Sequence, residues 1–187
     1  MVWVDERAER RSGPARKFDD LFLRLYPRLH DLCHRVVGDG FEAEDVVQEA
    51  FLRLAGAPVL DRPEEEVGAW LRRVCLNLSY NRLRWERRAR ARLERAGRLE
   101  AGDGADPGDG PLGSVLRLEE RAAVRRALWA LPERQRSCLL LRHSGYSYAE
   151  IAETCQLAVG SVGVLLARAE RAFRDAYQPQ DDEGAGT

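Results

Sequence analysis

The run Gly-Asp-Gly-Ala-Asp-Pro-Gly-Asp-Gly-Pro at residues 102–111 limits what this chain can become more than any other feature. Glycine and proline resist helix interiors and aspartate favours turns, so such a run belongs to neither a core helix nor a sheet. It predicts a flexible acidic linker over residues 98–115. The linker divides 187 residues into two bodies, each with room for only a small hydrophobic core.

On both sides of it the periodicity is helical. Phe18, Leu21, Phe22, Leu25, Leu29, Leu32 and Val36 predict a helix over residues 18–37, with Pro27 as a local break. Gly38-Asp39-Gly40 ends it, and a second helix is expected over residues 42–54. After turns at Gly56-Ala57-Pro58 and Asp61-Arg62-Pro63, residues 64–95 read as one long helix. Val67, Trp70, Leu71, Val74, Cys75, Leu78 and Trp85 form its single apolar stripe.

Beyond the linker a helix is predicted over residues 116–130, and Pro132 opens another that stops by Gly145. Ser147 and Glu150 have the spacing of a capping box, starting a short helix that ends near Glu153. A turn over residues 156–160 leads to a final helix over residues 161–177. Short helix, tight turn and longer helix make a helix-turn-helix, whose second helix enters the DNA major groove. The expected fold class is therefore all-α, with two small helical domains (residues 18–97 and 116–177) joined by the linker. A polar arm (1–17) and an acidic tail (178–187) flank them.

The net charge of −1 is uninformative, whereas its distribution is not. Residues 41–66 carry eight acids against Arg53 and Arg62, and residues 67–98 carry ten arginines against Glu86 and Glu94. A solvated surface helix would intersperse its signs, so the arginine block points to nucleic acid. On an ideal helix Asn77, Asn81, Arg84 and Arg88 form one polar line beside the apolar stripe. Arginine meets phosphates, and an Asn amide can donate to and accept from a base edge at once. In the preceding helix Val46, Val47, Ala50, Phe51 and Leu54 make the apolar face, leaving Glu42, Asp45, Gln48 and Glu49 outside. On composition alone that acidic face is an ordinary exposed one, its acids favoured by the helix dipole.

Other classes of function find little support. Neither a glycine-rich phosphate loop nor a nucleophile elbow nor a carboxylate pair is present, so no enzymatic activity and no cofactor are expected. Cys33, Cys75, Cys138 and Cys155 are widely spaced and read as buried small hydrophobes in a reducing compartment. His30, Cys33 and His34 have a metal-like spacing but lack a fourth ligand, and no metal is expected there. No apolar run approaches the roughly 18–20 residues of a membrane span. With charges near the N-terminus where a signal peptide is apolar, a cytoplasmic location is expected.

These segments, in this order, resemble the extracytoplasmic-function (ECF) class of bacterial sigma factors. Asp45-Val-Val-Gln-Glu-Ala-Phe-Leu-Arg53 is similar to that family's region 2.2, and Ala69-Trp-Leu-Arg-Arg-Val-Cys-Leu-Asn-Leu-Ser-Tyr-Asn-Arg-Leu-Arg84 to regions 2.3 and 2.4. Leu128-Trp-Ala-Leu-Pro-Glu-Arg-Gln-Arg136 resembles region 4.1, and Tyr148-Ala-Glu-Ile-Ala152 onward region 4.2. The resemblance implies a subunit that binds core RNA polymerase and promoter DNA, directs promoter melting and initiation, and is often sequestered by an anti-sigma factor. It replaces the ordinary reading of the acidic helix by a docking one, with Asp45, Gln48 and Glu49 against core polymerase. Asn77 matches the position that captures a flipped base of the −10 element, with Arg73, Asn81, Arg84, Arg87 and Arg88 as the neighbouring −10 contacts. Ser161, Arg168 and Arg171 are the corresponding −35 candidates.

The last helix departs from the family pattern. Gly163, Val164 and Leu165 stand where basic and polar residues are usual, and Glu170 where arginine is common. Two expectations follow: weak backbone binding to DNA, or an apolar face (Val164, Leu165) presented to a protein. The first rival reading of the whole chain is a stand-alone helix-turn-helix regulator of duplex DNA, and the second a metal- or thiol-based sensor built on His30, Cys33 and His34.

Overall fold

The computed structural model describes residues 14–95 and 111–177. Among them are seven α-helices, one short 3-10 helix (Pro58–Asp61) and no strand. The helices are α1 (Pro14–Val37), α2 (Gly40–Ala55), α3 (Glu64–Arg95), α4 (Pro111–Ala130), α5 (Glu133–His143), α6 (Tyr148–Cys155) and α7 (Val159–Ala176). The all-α expectation holds, with adjustments at the ends. α1 starts at Pro14, inside the expected arm, and runs through Pro27. α4 starts at Pro111 and so takes residues 111–115 from the expected linker; proline is tolerated in a first helical turn, where its missing N–H would have no partner. The rest of the linker, the remaining arm and the acidic tail lie outside the described residues.

The first bundle is built by α1, α2 and α3. Leu21, Leu29 and Cys33 from α1 meet Val46, Val47, Phe51 and Leu54 from α2 and Val67, Leu71 and Cys75 from α3. The Phe51 ring meets Phe18 and Phe22 edge-on, at centroid distances of 5.9 and 4.8 Å. Fully burying each such side chain contributes roughly 1.5–3 kcal/mol. Between α1 and α2 the chain turns on Gly38, whose φ of +84° suits glycine. Asp39 then caps α2, its Oδ1 accepting from the Glu42 amide at 2.9 Å.

The second bundle packs α4–α7 around Cys138, Leu141, Ile151, Val162 and Leu166, but this cluster does not stop at the domain edge. It continues into the first bundle through Leu32 and Val36 of α1 and Leu76, Tyr80 and Leu83 of α3. The single apolar stripe expected on α3 is thus two. The first faces its own bundle, the second faces α6, and Trp85, assigned to the stripe, is 69% exposed.

Cys33, Cys75 and Cys138 are buried and Cys155 is half-buried; all four are free thiols. His30 faces the Gly40 carbonyl and stacks along α1 with His34. Among the described residues no three His, Cys, Asp or Glu side chains converge as a metal site. No single described helix is long and apolar enough to cross a membrane.

Candidate nucleic-acid interface

The arginine-rich helix presents its polar line to solvent: Asn77, Asn81, Arg84 and Arg88 are all exposed. Arg73 is half-buried on the same helix. Arg84 and Arg87 already have partners in the second bundle. The Arg84 Nη2 lies 3.5 Å from Glu133 Oε2, and the Arg87 guanidinium sits 4.5 Å from the Trp129 ring centroid. Partial burial, with Arg136 and Arg125 nearby, moves Arg87 below its ordinary pKa. A narrow crevice of about 150 Å³ separates Arg73 and Asn77 from Arg134, Ser137 and Thr154 of the second bundle.

On α2, Asp45, Gln48 and Glu49 are exposed. Asp45 Oδ2 is 3.3 Å from Arg82 Nη2, Gln48 donates to Glu44 at 3.0 Å, and Glu49 pairs with Arg53 at 2.8 Å. Exposed pairs of this kind contribute roughly 0–1 kcal/mol, so a partner can displace them at little cost. A cleft of about 490 Å³ runs between α2 and α3, lined by Asp45, Glu49, Asn81 and Trp85 among others. The acidic face and Asn81 therefore border one cleft, closer than two independent faces would be.

Ser147 and Glu150 form the capping box that starts α6. The Ser147 amide donates to Glu150 Oε2 at 2.8 Å, and the Glu150 amide donates to Ser147 Oγ at 3.2 Å. Gln156 ends α6 in the left-handed region (φ 54°), and α7 leaves at 90° to it. This is the helix-turn-helix angle. α7 buries Val162, Leu166 and Ala169 and exposes Ser161, Arg168 and Arg171. Val164 is 56% exposed, whereas Leu165 is half-buried against the core. Only the first half of the expected apolar pair is on the surface, where Val159 and Tyr148 are exposed as well.

Between the bundles lies a set of residues that the sequence reading did not single out. Arg72 is 4% exposed, and its Nε donates to Thr154 Oγ1 at 2.7 Å. Its terminal nitrogens lie 3.8 Å from Glu150 and 4.0 Å from Glu153. Burial lowers its pKa, against the pull of Tyr146, Glu150 and Glu153. Arg28 pairs with Glu150 at 3.0 Å and covers the Tyr146 ring at 4.2 Å. Further along α3, Tyr80 is hydrogen-bonded with Ser137 (3.1 Å) and meets Trp129 edge-on. Arg136 stacks over both rings, at 4.4 and 4.1 Å. A second apolar row at i, i+4 and i+7 (Leu76, Tyr80, Leu83) was the available signal.

The comparisons with known proteins agree with this geometry. Residues 21–89 match Sigma-70 region 2 and residues 121–173 match Sigma-70 region 4. The chain is 34% identical to the RNA polymerase sigma-H factor of Pseudomonas aeruginosa over 93% of its length and 92% of that protein's. It is 31% identical to the ECF RNA polymerase sigma-E factor of Escherichia coli over 90% of both. Among solved structures, CnrH in complex with the cytosolic domain of CnrY has a TM-score of 0.55 at 25% identity, covering 90% of this chain and 92% of that one. The sigma factor RpoE in complex with the anti-sigma factor NepR, from Bartonella quintana, shares the fold with a TM-score of 0.54 at 24% identity, over 85% of this chain and 95% of that one. The chain belongs to the ECF sigma factors, non-enzymatic subunits of RNA polymerase that direct promoter recognition and transcription initiation.

Proposed function

We propose that the two regions divide promoter work between named faces. Asp45, Gln48 and Glu49 dock on core polymerase. Arg73, Asn77, Asn81, Arg84, Arg87 and Arg88 hold the single-stranded −10 element, and Ser161, Arg168 and Arg171 meet duplex DNA at −35. The exposed line Asn77–Asn81–Arg84–Arg88 carries this reading, because it joins bidentate amides to phosphate-binding guanidinia along one helix. Unstacking a base costs a few kcal/mol, which contacts to the exposed strand must offset. The work is cytoplasmic, and an anti-sigma factor is the regulatory partner, as RpoE of B. quintana has in its complex with NepR. α7 supports only weak duplex binding, since neutral Gly163 and Val164 replace basic groups. That argues against a stand-alone duplex-binding regulator.

Run-off transcription with core polymerase tests the assignment. Asn77→Ala is expected to impair promoter opening by roughly 1–3 kcal/mol while core binding stays intact. Asp45→Arg is expected to weaken core binding about tenfold or more. Loss of core binding in the Asn77 variant would assign that face to polymerase instead.

A further inference from the structure

The four cysteines fall into two pairs with opposite surroundings. Cys33 of α1 and Cys75 of α3 are both 0% exposed among apolar side chains of the first bundle. A hydrogen bond shared with Cys33, and then burial, push the Cys75 thiol well above its ordinary pKa, so this pair stays protonated and inert. Cys138 of α5 and Cys155 of α6 have their sulfurs 3.7 Å apart. Cys155 is half-buried and lines the crevice of about 150 Å³ together with Arg73, Arg134, Ser137 and Thr154. Glu133 on the same wall is paired with Arg84. Two guanidinium groups and two hydroxyls around one thiol make the electropositive, partly open setting in which cysteines react.

The pair also holds its protons in a useful way. The hydrogen bond shared with Cys155, with Arg134 nearby, outweighs burial and holds the Cys138 thiol below its ordinary pKa. The same bond, together with burial, pushes Cys155 up. The first proton therefore leaves readily and the second is kept between the two sulfurs, so the pair titrates as a unit. Moving that second proton across the 3.7 Å contact puts the negative charge on Cys155, where the crevice reaches it. The crevice has room for roughly five waters, which admits hydrogen peroxide and excludes bulky oxidants.

We propose that Cys138 and Cys155 are a peroxide-reactive dithiol that oxidises to a disulfide within region 4. The Cys155 thiolate attacks one oxygen of hydrogen peroxide. The O–O bond breaks, the departing hydroxide takes a proton and leaves as water, and the sulfur is oxidised to a sulfenic acid. The Cys138 sulfur then attacks that sulfur, the S–O bond breaks, and the Cys138 proton leaves with the hydroxyl as a second water. Two thiols have lost two electrons and two protons, and one peroxide has become two waters. An S–S bond spans about 2.05 Å, so the sulfurs approach by roughly 1.7 Å from their 3.7 Å separation. The bond closes a loop that contains the Gly145 turn and α6, and so fastens the first helix of the helix-turn-helix to α5.

The test uses the full chain, reduced and then exposed to a small excess of hydrogen peroxide. Free thiols are expected to fall from the four of the reduced chain to two. Tryptic mapping without reductant should then join the peptide of residues 137–142 to that of residues 143–168, while the peptides holding Cys33 and Cys75 keep free thiols. The oxidised protein should melt higher by on the order of 10 °C, because the closed loop constrains the unfolded chain. Dithiothreitol should reverse that shift. In Cys138→Ser, dimedone should trap a sulfenic acid on Cys155, and in Cys155→Ser it should trap none. Cumene hydroperoxide, too bulky for the crevice, should oxidise the pair about tenfold or more slowly, since thiol reactivity depends on access. Four free thiols after peroxide, or further oxidation with no linked peptide, overturns the dithiol. A link between any other two cysteines overturns the pairing. Equal rates with the two peroxides, or a trapped sulfenic acid on Cys138, overturns the crevice as the point of entry.

Discussion

The two buried faces of α3 are made of different chemistry. Towards its own bundle the helix presents Val67, Leu71 and Cys75, each fully buried among apolar side chains of α1 and α2. Towards region 4 it presents Leu76, Tyr80 and Leu83, but also the buried guanidinium of Arg72. Ser79, on the same helical face, is buried, and its Oγ has no hydrogen-bond partner among the described residues. A face that never meets water can be wholly apolar. A face that spends part of its time in water keeps charge and stacks arginine on aromatic rings, as it does at Tyr80, Trp129 and Tyr146. Replacing buried ion pairs by apolar residues is often neutral or stabilising, so the polar composition points to reversibility rather than strength.

The largest expected effect separates the two faces directly. Leu71→Ala leaves a cavity in the dry face and should lower the unfolding free energy by about 2–5 kcal/mol, read from urea denaturation. Tyr80→Ala removes a side chain just as buried, 1% exposed. It is nevertheless expected to leave the unfolding of region 2 within about 1 kcal/mol of wild type, well short of a core truncation. It should instead expand the particle in small-angle scattering. Equal losses in the two variants would make the inter-region face an ordinary core and end the distinction.

A smaller effect with opposite signs comes from Gly68, one turn before Arg72. A Cβ placed on Gly68 would lie 3.1 Å from Arg72 Nη1, so the guanidinium has to give by a few tenths of an ångström beside Thr154. Alanine in a helix interior is favoured over glycine by roughly 0.8–1 kcal/mol. Gly68→Ala is therefore expected to stabilise region 2 against urea while increasing, in scattering, the fraction of molecules with the regions apart. A variant both more stable and more closed would show that Arg72 is not fixed by the space Gly68 leaves.

How much of this was legible in the sequence follows from the range of each interaction. The capping box at Ser147 and Glu150, the stop at Gly38 and the long α3 were readable because their causes lie within a few residues. The exposed positions of Asn77, Asn81, Arg84 and Arg88 follow from helix geometry once one apolar stripe is known. Arg72 falls in the arginine block that reads as nucleic-acid-binding, and its partners Thr154, Glu150 and Glu153 are more than seventy residues away. No local pattern separates a guanidinium that will be buried by another domain from one that will meet phosphate. Trp85 failed for a related reason: it continues the periodicity of the stripe beyond the point where α1 and α2 cover it.

The smallest effect is on acidity, and it isolates the share of the contact between the regions carried by Glu150. Burial alone would raise its carboxyl pKa, but hydrogen bonds from Ser147 and the Arg28 guanidinium outweigh burial and hold it below the ordinary value. The Ser147 bonds belong to the capping box within α6, so only the Arg28 contribution depends on the contact between the regions. A carboxylate whose pKa is depressed with the regions together contributes stability above its pKa with them apart, and loses it as pH falls through the lower value. The groups facing it settle the direction: the Arg28 guanidinium of α1 lies 3.0 Å away and that of Arg72 of α3 lies 3.8 Å away, while burial holds the Tyr146 phenol well above its ordinary pKa. The radius of gyration should therefore grow as pH falls below the ordinary carboxylate range, about 4.3, before helicity is lost. In Glu150→Gln that growth should be much reduced. A response of equal size in the glutamine variant would show that Glu150 is not the group through which acid loosens the contact between the regions.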